Sequence, residues 1–214
     1  MAIASAQTCA KPWPLTAIRS DDANTLTMTE RILSYILLAI FFGIDFIIRK
    51  DKAAKSIERT KDDNKSTLLI VLTFFVVLIL SIVLNIFKLG TFENLFVARI
   101  GLGIMFLGLI VRIASMLTLS KYYTRTLITV DEQQIVKKGL YKVIRHPGYL
   151  GTILIWSAAG LGMTNKIVFI AGTILILLAY YYRIANEEKM LQQEFGERYS
   201  EYMKHSWRLI PFLW

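Results

Sequence analysis

Residues 67–87 read TLLIVLTFFVVLILSIVLNIF and contain no charged side chain. At about 1.5 Å per residue, a helix of this length matches the hydrocarbon core of a bilayer, which is roughly 30 Å thick. The chain has 214 residues, of which 55% are hydrophobic and 19% charged. The segment is therefore predicted to cross a membrane, in an integral membrane protein with little room for a separate soluble domain.

Four further apolar segments flank this span. They cover residues 32–48, 92–119, 149–162 and 167–182. Only the tetrapeptide MTNK, residues 163–166, separates the last two, and such a short polar connection predicts a tight helical hairpin. We expect an all-α, polytopic membrane fold with about five transmembrane helices.

Lysine and arginine in the short loops predict the orientation. These residues are concentrated in the loop 49–66 and again in the stretch 120–145. By the positive-inside rule both regions are cytosolic, which places the N-terminus outside and the C-terminus and the active site on the cytosolic side. The formal net charge of +9 is then explained by anionic lipid headgroups, and no nucleic acid partner is expected.

The chain is predicted to have three regions. Residues 1–28 are polar and are interpreted as a disordered or vector-derived extension, residues 29–119 hold the first three membrane helices, and residues 120–214 carry the candidate functional residues. Beyond residue 182, apolar residues recur at helical spacing among charged ones, which predicts a cytosolic amphipathic helix. Cys9 is the only cysteine, so a disulfide or paired-cysteine metal site within one chain is excluded.

The stretch 139–149, GLYKVIRHPGY, directly precedes the fourth apolar segment. Pro147 suits the first turn of a helix, and Gly148 allows a close backbone approach. Arg145 and His146 then lie at a helix N-terminus, where exposed amides favour negative charge. The stretch is interpreted either as an anion-binding loop or as the start of an interfacial helix.

Several charged residues lie in or beside the apolar segments. Arg183 and Glu187 are four residues apart and share one helix face, a spacing that also fits a solvated salt bridge. Arg112 lies several residues inside the third apolar segment, where an unpaired cation costs a few kcal/mol, so we expect it in a polar cavity. Asp45 and Arg99 lie nearer to segment ends and are assigned interfacial or packing roles.

Three glycines, Gly101, Gly103 and Gly108, recur on the third apolar segment. Small residues at such positions allow two membrane helices to approach closely, and all three are interpreted as helix contacts. Because no strand pattern surrounds them, they do not form a dinucleotide-binding motif.

Two spaced blocks of the sequence resemble a known family. They read Gly139-Leu-Tyr with Arg145-His-Pro-Gly-Tyr149, and Arg183-x-x-x-Glu187-Glu188-x-x-Leu191-x-x-x-Phe195-Gly196-x-x-Tyr199-x-x-Tyr202. Their order and separation are similar to the signature of the isoprenylcysteine carboxyl methyltransferases, over roughly the C-terminal half of the chain. Phospholipid methyltransferases carry similar blocks, so the resemblance is more specific for the superfamily than for the substrate.

The resemblance implies an S-adenosyl-L-methionine-dependent enzyme that methylates the terminal carboxylate of a prenylated cysteine and releases S-adenosyl-L-homocysteine. Its implied partners are a prenylated protein or prenylcysteine and membrane lipids, with no metal. It assigns catalysis to Arg183, Glu187 and Arg112, with Arg183 addressing the substrate. It assigns the cofactor pocket to Gln133, Gln134, Ile135, Val136, Tyr141, His146, Pro147, Gly148, Tyr149 and Glu187. The loop 133–136 departs from the eukaryotic form at its first positions, so we expect backbone contacts there.

The implied chemistry fits these residue types. An α-carboxylate has a pKa of about 3.5 and is ionised at neutral pH, so the nucleophile needs no general base. The protein must align the reacting atoms and exclude water, and an arginine orients a carboxylate with a fork of N–H donors. Two alternatives stay open: N-methylation of a phospholipid amine, and a noncatalytic membrane scaffold that binds partners through its basic loop and C-terminal helix.

Overall fold

The computed structural model describes residues 20–50, 65–119 and 135–212, with the side chains of the first range given from 28 to 47. These residues are helical apart from short connections and isolated bridges, as the all-α prediction requires. The helices are α1 (Ser20–Lys50), α2 (Ser66–Ile86), α3 (Leu95–Leu119), α4 (Pro147–Gly162), α5 (Lys166–Phe195) and α6 (Glu197–Lys204), with a 3₁₀ turn at Gly139–Lys142.

Helix α1 begins well before the apolar segment predicted at residue 32. Its backbone is helical from Ser20, so the last part of the segment interpreted as a disordered or vector-derived extension, residues 20–28, belongs to this helix, and residues 1–19 lie outside the described part of the chain. Hydropathy missed this extension because it detects immersion in lipid, whereas a polar sequence can also be helical. Most of the predicted basic loop, residues 51–64, also lies outside the described residues.

Three of the described helices, α2, α3 and α5, are long and apolar enough to cross a bilayer. In the most apolar part of α2, only 11% of the residues are buried inside the protein. An apolar surface of this extent is covered by lipid in an integral membrane protein. Helix α4 has 16 residues, which is short for a full span, so the count of about five membrane helices stays a prediction.

Glycines bring the backbones of α3 and α4 into contact. A Cβ atom on Gly108 would lie 2.7 Å from the carbonyl oxygen of Gly151, and one on Gly151 would lie 2.7 Å from the amide nitrogen of Arg112. Gly101 packs in the same way against the last turn of α4. The helix-contact interpretation is confirmed for Gly101 and Gly108 but is wrong for Gly103, which has no atom within 4 Å of its Cβ position among the described residues.

Replacing Gly151 with alanine is expected to lower the free energy of unfolding by about 1–3 kcal/mol, because the added methyl group must separate two backbones. Gly103→Ala is the matched control on the facing helix. Its methyl group meets open space, so the better helix propensity of alanine stabilises it by up to about 1 kcal/mol. Thermal unfolding in detergent micelles measures both effects, and equal shifts would contradict the packing described here.

The connection between α4 and α5 consists of residues 163–165 only. Asn165 is fully buried and caps α5, because its side-chain oxygen accepts hydrogen bonds from the amides of Ile167 and Val168, both at 3.1 Å. The short connection folds α5 back along α4. The first turn of α4 and the later turns of α5 therefore meet at the same end of the bundle.

Candidate active site

The N-terminal turns of α2 and α4 meet the C-terminal half of α5 at this end of the bundle. Pro147 starts α4, where its missing N–H costs no hydrogen bond, and Tyr149 follows in the same turn. Arg183 and Glu187 occupy successive turns of α5, so their side chains project from the same face. The helix register thus directs the predicted residues of both elements into one space.

The hydroxyl of Tyr149 joins Arg183 to Glu187. The guanidinium Nε of Arg183 donates to the Tyr149 hydroxyl at 3.1 Å, and this hydroxyl donates to Oε2 of Glu187 at 2.5 Å. Arg183 is only 4% exposed, so the interpretation as a solvated helix salt bridge does not describe it. The tyrosine places a buried cation on one side of its hydroxyl and a carboxylate on the other.

His146 extends this group of side chains toward the loop before α4. Its ring stacks on that of Tyr149, with centroids 5.5 Å apart and 7° between the ring planes. Its Nδ1 atom lies 3.9 Å from Oε2 of Glu187. The structure therefore brings together four of the predicted site residues, namely His146, Tyr149, Arg183 and Glu187.

Two hydroxyl side chains at the start of α2 also contact Arg183. One terminal nitrogen of its guanidinium donates to the Ser66 hydroxyl at 2.8 Å and to the Thr67 hydroxyl at 2.9 Å. Ser66 is fully buried. The sequence interpretation treated this helix only as a membrane span and missed both residues, although a Ser-Thr pair between a basic loop and an apolar run was a visible signal.

Arg112 is buried, and an acidic partner from α1 compensates its charge. Its guanidinium donates to Asp45 at 2.9 Å and to the carbonyl oxygen of Gly148 at 3.1 Å. Asp45, for which an interfacial or packing role is predicted, is half-buried and forms an ion pair with Arg112. Arg112 reaches the site through the backbone of Gly148. Arg99 pairs with Glu30 at 3.2 Å, which ties α3 to α1.

Glu188 forms a buried ionic cluster beside the site. Its carboxylate lies 2.9 Å from Nε of Arg145, 2.6 Å from a terminal nitrogen of Arg208 and 3.3 Å from Nε2 of His146. Glu188 thus gives Arg145 a partner within the protein, and anion binding by that arginine stays a prediction. Sequence analysis assigned no role to Glu188 or Arg208. The adjacent glutamates differ in partners, since Glu187 accepts from Tyr149.

Residues 205–212, here called the strap, run beside the loop that precedes α4. The amide of Arg145 donates to the carbonyl oxygen of Trp207 at 2.7 Å. The amide of Trp207 donates to the carbonyl oxygen of Val143 at 2.8 Å. The amide of His146 donates to the carbonyl oxygen of Arg208 at 3.2 Å. The strap thereby holds the backbone on which His146 sits.

Tyr141 is buried and contacts α6, the helix that precedes the strap. Its carbonyl oxygen accepts a hydrogen bond from the Tyr202 hydroxyl at 2.6 Å. Burial raises the pKa of Tyr202 to about 12, so this hydroxyl remains a donor throughout the physiological range. The contact fixes the 3₁₀ turn against α6.

The remaining predicted cofactor residues are only partly placed. Pro147 and Gly148 are buried at the start of α4, and Ile135 and Val136 are half-buried. Ile135 also lines an open cleft of about 700 Å³ whose other walls are mainly charged side chains of α6. Gln133 and Gln134 lie outside the described residues. Among the described residues, no group of three or more His, Cys, Asp or Glu side chains is arranged to hold a metal ion.

Comparisons with known proteins agree on one family. The model of the isoprenylcysteine carboxyl methyltransferase family matches residues 100–193. Protein-S-isoprenylcysteine O-methyltransferase A of Arabidopsis thaliana is 30% identical over 190 residues, which cover 86% of this chain and 94% of that protein. A shorter match of 75 residues links the chain to methanethiol S-methyltransferase of Pseudomonas deceptionensis at 35% identity, over 35% of this chain and 27% of that protein.

A solved structure shares the fold. The eukaryotic intramembrane Ras methyltransferase, an isoprenylcysteine carboxyl methyltransferase, superposes with a TM-score of 0.62 at 21% identity, over 93% of this chain and 70% of that one. The family match over residues 100–193 includes Arg112, His146, Tyr149, Arg183 and Glu187. With a relative matched over nearly its full length, the chain belongs to the isoprenylcysteine carboxyl methyltransferase family.

Proposed function

We propose that the protein transfers a methyl group from S-adenosyl-L-methionine to the C-terminal α-carboxylate of a prenylated cysteine and forms a methyl ester. Family membership supports a methyltransferase that acts on isoprenylcysteine in a membrane. The observation that carries the proposal is the connected set of Arg183, Tyr149 and Glu187. It provides a cationic side for a carboxylate and an anionic, aromatic side for a positively charged methyl donor.

Arg183 is the proposed binding residue for the substrate carboxylate. In the structure it donates to the neutral hydroxyls of Ser66, Thr67 and Tyr149. A carboxylate is a stronger acceptor, because charge-assisted hydrogen bonds are roughly twice as strong as neutral ones. A substrate carboxylate can therefore replace the Tyr149 hydroxyl at Arg183 while Ser66 and Thr67 keep the guanidinium in place, and the buried setting strengthens the attraction.

The proposed cofactor contacts lie on the other side of Tyr149. S-adenosyl-L-methionine, when bound, supplies a methyl group carried on a positively charged sulfur. The ring of Tyr149 offers a face that attracts cations, and the Glu187 carboxylate, 22% exposed, offers negative charge next to it. These groups fit that donor. The further proposed contacts are Gln133, Gln134, Ile135, Val136, Tyr141, Pro147 and Gly148.

The protein's part in the reaction is positioning. The carboxylate is already ionised, so Arg183 needs only to orient one of its oxygens, and correct alignment is worth up to several kcal/mol. Burial of Arg183 and Ser66 keeps water from the attacking oxygen. Arg112 is assigned a positioning role, because it holds the carbonyl oxygen of Gly148 and thus the first turn of α4.

The membrane setting suits a prenylated substrate. A prenyl chain partitions into lipid with about 0.8 kcal/mol per buried CH₂ group. Helix α2 exposes a long apolar surface and presents Ser66 and Thr67 to Arg183 at one end, so we assign the prenyl chain to the lipid beside α2. Basic loops at this end support the cytosolic placement of the site, with the N-terminus outside.

Replacing both hydroxyls, as Ser66→Ala with Thr67→Val, is expected to raise KM for a farnesylcysteine substrate about 10-fold to 100-fold. Each hydrogen bond to a charged group is worth about 1.5–3 kcal/mol, and without these two bonds the guanidinium of Arg183 is no longer held in the orientation that receives the carboxylate. Affinity for S-adenosylhomocysteine should not change. Thr73→Val is the matched control, because the buried hydroxyl of Thr73 donates to the carbonyl oxygen of Leu69 within α2. Equal kinetics for both variants would refute the role of Ser66 and Thr67.

Two measurements separate this function from its alternatives. Calorimetric titration with S-adenosylhomocysteine should show saturable binding, whereas a noncatalytic scaffold shows none. N-methylation of a phospholipid amine would give an alkali-stable product, and its rate would rise above neutral pH because the amine must first lose a proton. Ester formation on a carboxylate should instead be insensitive to the substrate's own ionisation near neutral pH.

A further inference from the structure

The strap has a buried face and an exposed apolar face. Leu209 is 4% exposed and packs in the same core cluster as Ile184 of α5. On the other face, Trp207, Ile210 and Phe212 are 39%, 45% and 86% exposed. The strap is therefore docked on the helices by one side while it presents large apolar side chains outward.

The 3₁₀ turn and the residue after it extend this exposed face. Val143 is 48% exposed and lies beside Trp207, whose amide donates to its carbonyl oxygen. Leu140, in the same turn, is 36% exposed. The ring of Phe212 lies 5.3 Å from that of Trp207. These side chains form one patch, and a continuous apolar patch marks a surface that contacts lipid or protein.

The surroundings of the patch favour lipid. Lys138 and Lys142 are exposed beside it, and a lysine border around tryptophan and aliphatic residues is typical of elements that lie in the membrane–water interface. Helix α5 exposes Tyr181 and Tyr182, at 60% and 42%, just before the turn on which Leu209 packs. Exposed tyrosines at the end of a membrane helix mark the level of the lipid headgroups.

We propose that this patch lies in the headgroup layer and binds anionic phospholipids. The residues that enter the lipid are Leu140, Val143, Trp207, Ile210 and Phe212, and those that contact lipid phosphates are Lys138 and Lys142. On the inner side of the same strap, a terminal nitrogen of Arg208 lies 2.6 Å from the carboxylate of Glu188. Lipid bound to the outer face of the strap therefore helps to keep Arg208 in contact with Glu188. The proposed lipid-binding surface does not depend on which acceptor the protein methylates.

Spin labels measure the depth of the patch directly. Cys9 is the only cysteine, so a Cys9→Ser background accepts single labels through Phe212→Cys or Val143→Cys. The control is Glu201→Cys on α6, an exposed position outside the patch. In vesicles of phosphatidylcholine and phosphatidylglycerol, labels at 212 and 143 should collide severalfold more with oxygen than with a water-soluble nickel chelate. The label at 201 should show the reverse, and the same ratio at all three positions would overturn the proposal.

A second comparison tests the charge. Replacing phosphatidylglycerol with phosphatidylcholine should move the label at 212 toward water. Lys138→Gln with Lys142→Gln should produce the same shift in phosphatidylglycerol vesicles, whereas Lys204→Gln, another exposed lysine, should not. If the depth of the label changed neither with lipid charge nor with the two lysine substitutions, anionic lipid binding would be refuted. None of these readouts depends on methyl transfer, so they stand apart from the test of the proposed activity.

Discussion

Arg183→Lys is expected to lower kcat/KM for prenylcysteine esterification about 100-fold or more, equal to about 3 kcal/mol of transition-state stabilisation. Arg183 donates to Tyr149 on one side and to Ser66 and Thr67 on the other. A lysine ammonium is a point charge on a flexible stem, so it cannot donate to both sets of partners at once or align two carboxylate oxygens. Arg183→Ala should leave no measurable turnover, while the protein still inserts and purifies.

The rate of labelled methyl transfer to a farnesylcysteine analogue measures this effect. Arg99→Lys is the matched control, since Arg99 also donates through its Nε atom, in its case to Glu30, but its side chain is 63% exposed. It should keep the wild-type rate. A near wild-type rate for Arg183→Lys would mean that only the charge matters and would refute the orienting role of the guanidinium.

Glu188→Gln is expected to lower the free energy of unfolding by about 3–5 kcal/mol, because removing one partner of a buried ion cluster leaves the other charges uncompensated. The side chains of Arg145 and Arg208 next to it are only 9% and 29% exposed. The strap should detach first, since Arg208 holds it there. Thermal unfolding in detergent and amide hydrogen exchange of residues 205–212 measure the two effects.

Two other glutamates of α5 serve as controls. Glu194 is exposed, so Glu194→Gln should leave stability unchanged. Glu187→Gln should retain near-normal stability but lose turnover, because we propose Glu187, which accepts from Tyr149, as a cofactor contact. If Glu187→Gln unfolded the protein while Glu188→Gln did not, the assigned roles of the two neighbours would be reversed.

Hydropathy predicted the membrane helices well where contact with lipid requires apolar side chains. The span predicted at 67–87 is α2 at Ser66–Ile86, because the lipid-facing side chains of a membrane helix must be apolar over the thickness of the hydrocarbon core. The hairpin followed from the connection of only four residues, 163–166, that separates two apolar segments. The early start of α1 was missed because its first turns are polar and carry no hydropathy signal.

The site was only partly predictable because its contacts are distant in sequence. Helical spacing placed Arg183 and Glu187 on one face, but their link through Tyr149 depends on how α4 packs on α5. The pair of Arg112 and Asp45 spans 67 positions, and no local pattern reports such a contact.

The most direct test of the proposed activity is the chemical stability of the product. Purified protein is incubated in membranes with methyl-labelled S-adenosylmethionine and a farnesylated cysteine analogue, and the extracted product is treated with alkali. We expect label on the prenylcysteine that alkali releases as methanol, as a carboxyl methyl ester requires. An absence of label, or label that resists alkali, would contradict it.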